Sequence, residues 1–235
     1  MKKRAIVLTV LCGAFLALLT KMPLAWVGPH ILPKTAGQNP VYSGTVWNGA
    51  VNGLDVIGTA DFTITPLAMF KGQLPISFRT NSESMQSLGK ASYNRLKDYR
   101  FTGQLSQLPI RDGRLKNLIG DVNFTIRDMA FWKECKSASG QATTDFLARN
   151  VTHWRWKGPV LSGPISCEDG DLIVKLSGVE SGQTIRADLQ LSFNGSYRAD
   201  ISVRTGQPEA GIVLPLYGFD KIGEEFLLTE QGQWR

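Results

Sequence analysis

Between Ala187 and Val203 the chain alternates with a period of two. Ala187, Leu189, Leu191 and Phe193 lead into Asn194-Gly195, and Tyr197, Ala199, Ile201 and Val203 lead out. Alternation puts successive side chains on opposite faces of a strand, and Asn-Gly is a strong hairpin-turn signal. The same period recurs at Val56–Ile64, at Leu74, Ile76 and Phe78, and at Val122, Phe124 and Ile126. Ile165–Cys167 and Asp171–Ser177 flank a second turn signal, Asp169-Gly170. Each strand is apolar on one face, as antiparallel strands are. A single sheet of this kind leaves its apolar face wet. Covering it takes a second sheet, a barrel, or a long sheet folded over itself, and alternation alone does not choose among them.

The other segments are read in the same way. Gly44 and Gly49 bracket Thr45-Val46-Trp47-Asn48, read as a strand ending at Trp47 with a turn at Asn48-Gly49. Pro75 makes the following strand an edge or irregular one. Ser82–Arg100 is polar and lacks a period of two, so it reads as a loop with a helical turn. Phe101–Leu108 reads as a strand, Asp112-Gly113 as a turn and Thr143–Asn150 as two helical turns. His153–Lys157 reads as a strand with Trp154 and Trp156 on one face, downstream of Phe131 and Trp132. Those aromatics are either sheet core or a greasy surface for a lipid or protein partner.

Ahead of the strands, Ala5–Thr20 is a run of apolar or small residues preceded by Lys2, Lys3 and Arg4. Lys21 interrupts it, and Met22–Val27 resumes it. A bilayer core of about 30 Å takes roughly 20 helical residues, which the run reaches if Lys21 snorkels and Trp26 sits among the headgroups. The expected organisation is a cytoplasmic tail (1–4), a transmembrane anchor (5–27), a proline-rich linker (28–40) and an exported β-rich domain (41–235). A cleaved signal peptide shares the basic start, but Thr20-Lys21-Met22 is no small-x-small cleavage site. A buried core helix is a third, weaker reading.

The formal charge of +6 misleads. Four of the 26 cations lie in residues 1–27, where there is no acid, leaving 22 cations against 20 acids. A near-neutral domain without a basic stripe gives no argument for nucleic acid. Of three cysteines, Cys12 lies in the apolar run, and Cys135 and Cys167 lie in the exported part. An oxidising compartment permits their pairing, the alternative being two buried thiols. No His or Cys pair stands at metal-ligand spacing, and no cofactor is expected. His30 and His153 have no nucleophile or acid arranged near them in sequence, and no G-x-S-x-G, H-E-x-x-H or P-loop spacing occurs. Glu224-Glu225 reads as solvated surface, and no catalytic residue is assigned.

Several segments together carry a resemblance. Pro23-Leu24-Ala25-Trp26 follows the apolar run, then come Gly44–Gly49 (GTVWNG), Thr65-Pro66-Leu67 and Lys71-Gly72. Later come Cys135, Gly140, Gly158-Pro159, Ser162-Gly163 and Cys167-Glu168-Asp169-Gly170. In order and spacing the chain resembles the type II secretion system protein N family over nearly its whole length. The resemblance implies a non-enzymatic, single-pass inner-membrane accessory component of Gram-negative bacteria. Its domain would be periplasmic and its partners other secretion-system proteins. It has no catalytic residues to carry over, and Cys135 and Cys167 match the family's cysteine pair. Trp47, Trp154 and Trp156 are the residues expected to serve a structural or partner surface. At fold level the domain is similar to AsmA-like proteins. That implies a mainly β fold, a long curved antiparallel sheet folded into a trough, with one or two short helices. The alternative function is then a lipid-binding or lipid-transfer module with an apolar groove.

Overall fold

The computed structural model describes residues 20–31, 39–54, 57–107 and 118–233. The protein is mainly β: the described residues hold fourteen strands, antiparallel to their partners within each unit, and a few short helices. It divides into two compact units, Met1–Glu83 and Ser84–Arg235.

The first unit holds α1 (Leu24–Ile31) and four strands paired in chain order. These are β1 (Val41–Gly44), β2 (Asn48–Leu54), β3 (Gly58–Ile64) and β4 (Ile76–Asn81). The β1–β2 turn lies one step earlier than expected. Gly44 pairs with Gly49 and Asn48 already belongs to β2, so the bend is Thr45-Val46-Trp47. Gly44 sits at φ +79, and a Cβ there would lie 2.4 Å from the Asn48 carbonyl oxygen. Thr45 Oγ1 accepts from the amides of Trp47 and Asn48 and completes the turn.

Helical geometry stops after Lys21. The Met22 carbonyl accepts from the Val46 amide, Pro23 bridges Thr45, and Leu24 is buried, close to Gly49. Met22–Val27 therefore packs on β-structure and does not continue the apolar run as one helix. No helix among the described residues is long and apolar enough to cross a membrane. Residues 1–19, the tail and most of the expected anchor, lie outside the described residues, as does the Asp112-Gly113 turn.

The second unit holds ten strands. They are β5 (Met85–Ala91), β6 (Arg95–Gln104), β7 (Asp121–Phe131), β8 (Cys135–Thr144), β9 (Leu161–Glu168), β10 (Asp171–Glu180), β11 (Gln183–Leu191), β12 (Ser196–Arg204), β13 (Asp220–Ile222) and β14 (Glu225–Gln233). They pair in chain order except that β14 lies between β12 and β13. Asp169-Gly170 is a two-residue hairpin turn with both φ angles positive, 51 and 88, the type I′ geometry that suits strand twist. At the β11–β12 hairpin, Asn194 Oδ1 accepts from the Ser196 amide and Gly195 takes φ +97.

Two segments differ from the sequence reading. Residues 82–100 contain β5 and most of β6, not a loop. The inward face of β5 is Met85, Ser87 and Gly89, with a buried Ser87 that hydrogen-bonds Tyr99, so no apolar alternation marks it. A bulge at Asp98, φ 51, breaks the period in β6. Residues 153–157 are not a strand. The short helices α2 (Phe146–Arg149) and α3 (Val151–Trp154) end at Arg155, φ 54, and Trp156 follows in an irregular segment. A last helix, α4 (Pro208–Leu216), buries Ala210 and Leu214.

The second unit's sheet curls. Phe131 at the end of β7 stacks on Phe193 after β11, four strands away, at 5.9 Å between ring centroids. One core cluster accordingly joins Ile126 and Met129 of β7 to Val203 of β12 and Phe226 of β14.

Candidate functional site

Three features of the second unit bear on function. The first is an end built from turns. Tyr93 lies in the β5–β6 turn and Trp132 in the β7–β8 turn. Their rings meet edge to face at 5.8 Å, yet Tyr93 is 73% and Trp132 57% exposed. The Phe131–Phe193 stack lies beside them, and Cys135, the first residue of β8, donates its amide to Gly170 of the β9–β10 turn. An aromatic pair this accessible leaves apolar area in water that a partner would cover.

The second feature is the disulfide. Cys135 and Cys167 are bonded, with Cα atoms 5.5 Å apart. The bridge ties the start of β8 to the end of β9, beyond the Gly140–Ile165 pair that ends their ladder. It holds the strand ends beneath the aromatic turns.

The third is an apolar cavity of about 300 Å³ inside the curled sheet. Its walls include Phe124, Leu147, Trp156, Ile185, Ile201 and Leu228. The inward alanines Ala142 and Ala187 are among its lining residues.

Trp156 is 1% exposed, and its indole N–H donates to Gln183 Oε1 at 2.8 Å. Gln183, itself buried, donates to the Lys157 carbonyl. Trp156 is thus core, with its one polar atom satisfied. The segment leading to it is held by Asn150, whose Nδ2 donates to the carbonyls of Ile119 and Phe146 at 2.6 Å each and whose Oδ1 accepts from the Ile119 amide. Trp47 is half-buried in the first unit, its carbonyl accepting from the Ile64 amide at 2.6 Å. Trp47 belongs to the first unit and Trp156 to the second, and the side chains of Trp154 and His153 lie outside the described residues. His30 is exposed on α1. Sequence reasoning passed over Tyr93 because Ser82–Arg100 showed no periodicity. The signal that does find it is Ser92-Tyr93-Asn94, a polar turn carrying an aromatic.

Charges are arranged as outward ladders. Arg95 donates to both carboxylate oxygens of Asp128, which holds that carboxyl below the usual aspartate range. Arg198, with Thr229, does the same for Asp200. Arg149 bridges Asp121 and Asp145, fastening α2 to β7. Exposed pairs of this kind add little stability. Among the described residues no three His, Cys, Asp or Glu side chains gather as a metal site.

A family model for type II secretion system protein N matches residues 41–219. The chain belongs to the type II secretion system protein N family. The match spans both units, from β1 to the residue before β13. No curated protein and no solved structure matches the chain. Family membership makes it an accessory component of the secretion system and gives it other components as partners.

Proposed function

We propose that the protein is a non-enzymatic component anchored in the inner membrane, with a cytoplasmic N-terminus, that contacts other secretion-system proteins in the periplasm through the aromatic turn end of its second unit. The exposed Tyr93–Trp132 pair carries this reading. Interfaces concentrate binding energy in such aromatics, and the disulfide beneath fixes their position before any partner arrives. The apolar run at residues 5–20 supports the anchor, and the Cys135–Cys167 bond fits an oxidising periplasm. We read the curled second unit as the trough that the resemblance implies, because Leu189, Ile201 and Leu228 of its inward face stay only half-buried.

A photoreactive residue in place of Trp132, in cells that make the whole secretion system, tests this. It should capture a secretion-system protein that the same residue at outward-facing Lys175 does not. Equal capture from both positions, or none from position 132, overturns the reading.

A further inference from the structure

The inward face of the second unit is not filled. The cavity of about 300 Å³ is twice the volume at which an apolar void stays dry and admits a benzene-sized guest. It also reaches the size at which small-ligand pockets begin. Its walls are mainly aliphatic and aromatic, and its polar lining includes Thr143, Thr144, Tyr217 and Glu230. Thr144, 7% exposed at the end of β8, lines the cavity with a buried Oγ1 that has no hydrogen-bond partner. A buried hydroxyl without a partner is costly, and native proteins seldom keep one that nothing satisfies. Glu230 stands on the inward face of β14, two and four residues from Leu228 and Phe226, and also lines the cavity. Among the described residues, no Lys, Arg or His lines it.

We propose that this cavity binds the hydrocarbon chain of a lipid whose polar end is uncharged, with the Thr144 hydroxyl hydrogen-bonded to that end. The volume and the walls select a chain. The unpartnered hydroxyl supplies one polar contact of the kind a neutral alcohol or ester completes. The described charges disfavour an anionic end: a fatty-acid carboxylate would lose its water beside Glu230, and no Lys, Arg or His among the described lining residues replaces it. Binding here is separate from partner contact at the Tyr93–Trp132 end, so either can fail without the other.

The test uses the full chain in membrane vesicles and two photoreactive probes of equal length, a diazirine-bearing alkanol and the matching alkanoate. Adducts are mapped by peptide mass spectrometry and normalised to the probe content of the membrane. The alkanol should label peptides within residues 185–203 or 213–230 at least about tenfold more than the alkanoate, and Glu230→Gln should narrow that ratio. Thr144→Val should keep the fold and reduce alkanol labelling about fivefold, the loss of one hydrogen bond. Ala187→Phe fills the cavity and should abolish labelling while the Cys135–Cys167 bond still forms. Failure of the alkanol to label these peptides in the unaltered protein overturns the proposal whatever the variants do. So does alkanoate labelling equal to that of the alkanol, or undiminished labelling of folded Ala187→Phe.

Discussion

The two units are made of similar antiparallel strands, yet they are held together differently. Among the described residues of the first unit, only Leu24, Val51 and Ala68 are buried apolar side chains. The second unit has a continuous cluster from β7 to β14, a disulfide, and buried amides of Asn150 and Gln183 that staple irregular chain to the sheet. The difference lies in what occupies the inward positions. β2 reads Asn-Gly-Ala-Val-Asn-Gly-Leu, and its two fully buried positions are Gly49 and Val51. At about 25 cal/mol per Å² of apolar area removed from water, such strands gain little beyond their backbone pairing. Backbone pairing forms a sheet in both units. The size of the inward side chains decides whether it has a core.

That contrast can be tested from both sides. The largest expected effect is at Trp156. Trp156→Ala should destabilise the second unit by about 3–5 kcal/mol through lost packing, with a further ~1–3 kcal/mol from the orphaned Gln183. Hydrogen exchange should show protection lost in β9–β12 and unchanged in β2 and β3. Next comes the disulfide: replacing Cys135 and Cys167 with Ser should cost about 3–4 kcal/mol for a closed loop of 32 residues. Thermal unfolding checks this, and an unchanged midpoint would show the bridge to be irrelevant. Trp47→Ala should cost less, about 2 kcal/mol, because Trp47 is half-buried. The loss should show as faster exchange in β2 and β3 alone.

The smallest effect is electrostatic. Asp128 and Asp200 are held below the ordinary aspartate range chiefly by hydrogen bonds from Arg95 and Arg198. A depressed carboxylate pKa contributes stability that is fully present above the unfolded value, about pH 4, and lost as pH falls through the folded value. Asp128→Asn should therefore lower the second unit's stability at neutral pH by the small amount an exposed pair contributes, and the difference from the unaltered protein should vanish as pH falls through the folded value.

The hairpins at Asp169-Gly170 and Asn194-Gly195 were legible because turn chemistry and apolar alternation agree there. Strands β5, β8 and β14 were hidden where small or polar residues take inward positions. β5 turns Ser87 and Gly89 inward, β8 turns Ala138, Gly140 and Ala142, and β14 turns Glu230. Of these positions, Ala142 and Glu230 line the cavity. Trp154 and Trp156 mimicked a strand because two aromatics two apart share a strand face, whereas the chain there leaves a helix through a left-handed Arg155. The pairing of Cys135 with Cys167 was legible from compartment and count. The Tyr93–Trp132 contact was not, since it joins turns 39 positions apart in sequence.

The central claim is that the protein works by contact through the turn end of its second unit. Secretion by cells carrying Tyr93→Ala together with Trp132→Ala tests it most directly, because both side chains are exposed and their loss should leave the core intact. The account predicts that secretion falls at least about tenfold, as loss of two exposed interface anchors implies, while the disulfide forms and thermal stability is retained. Full secretion by a folded double variant would contradict it.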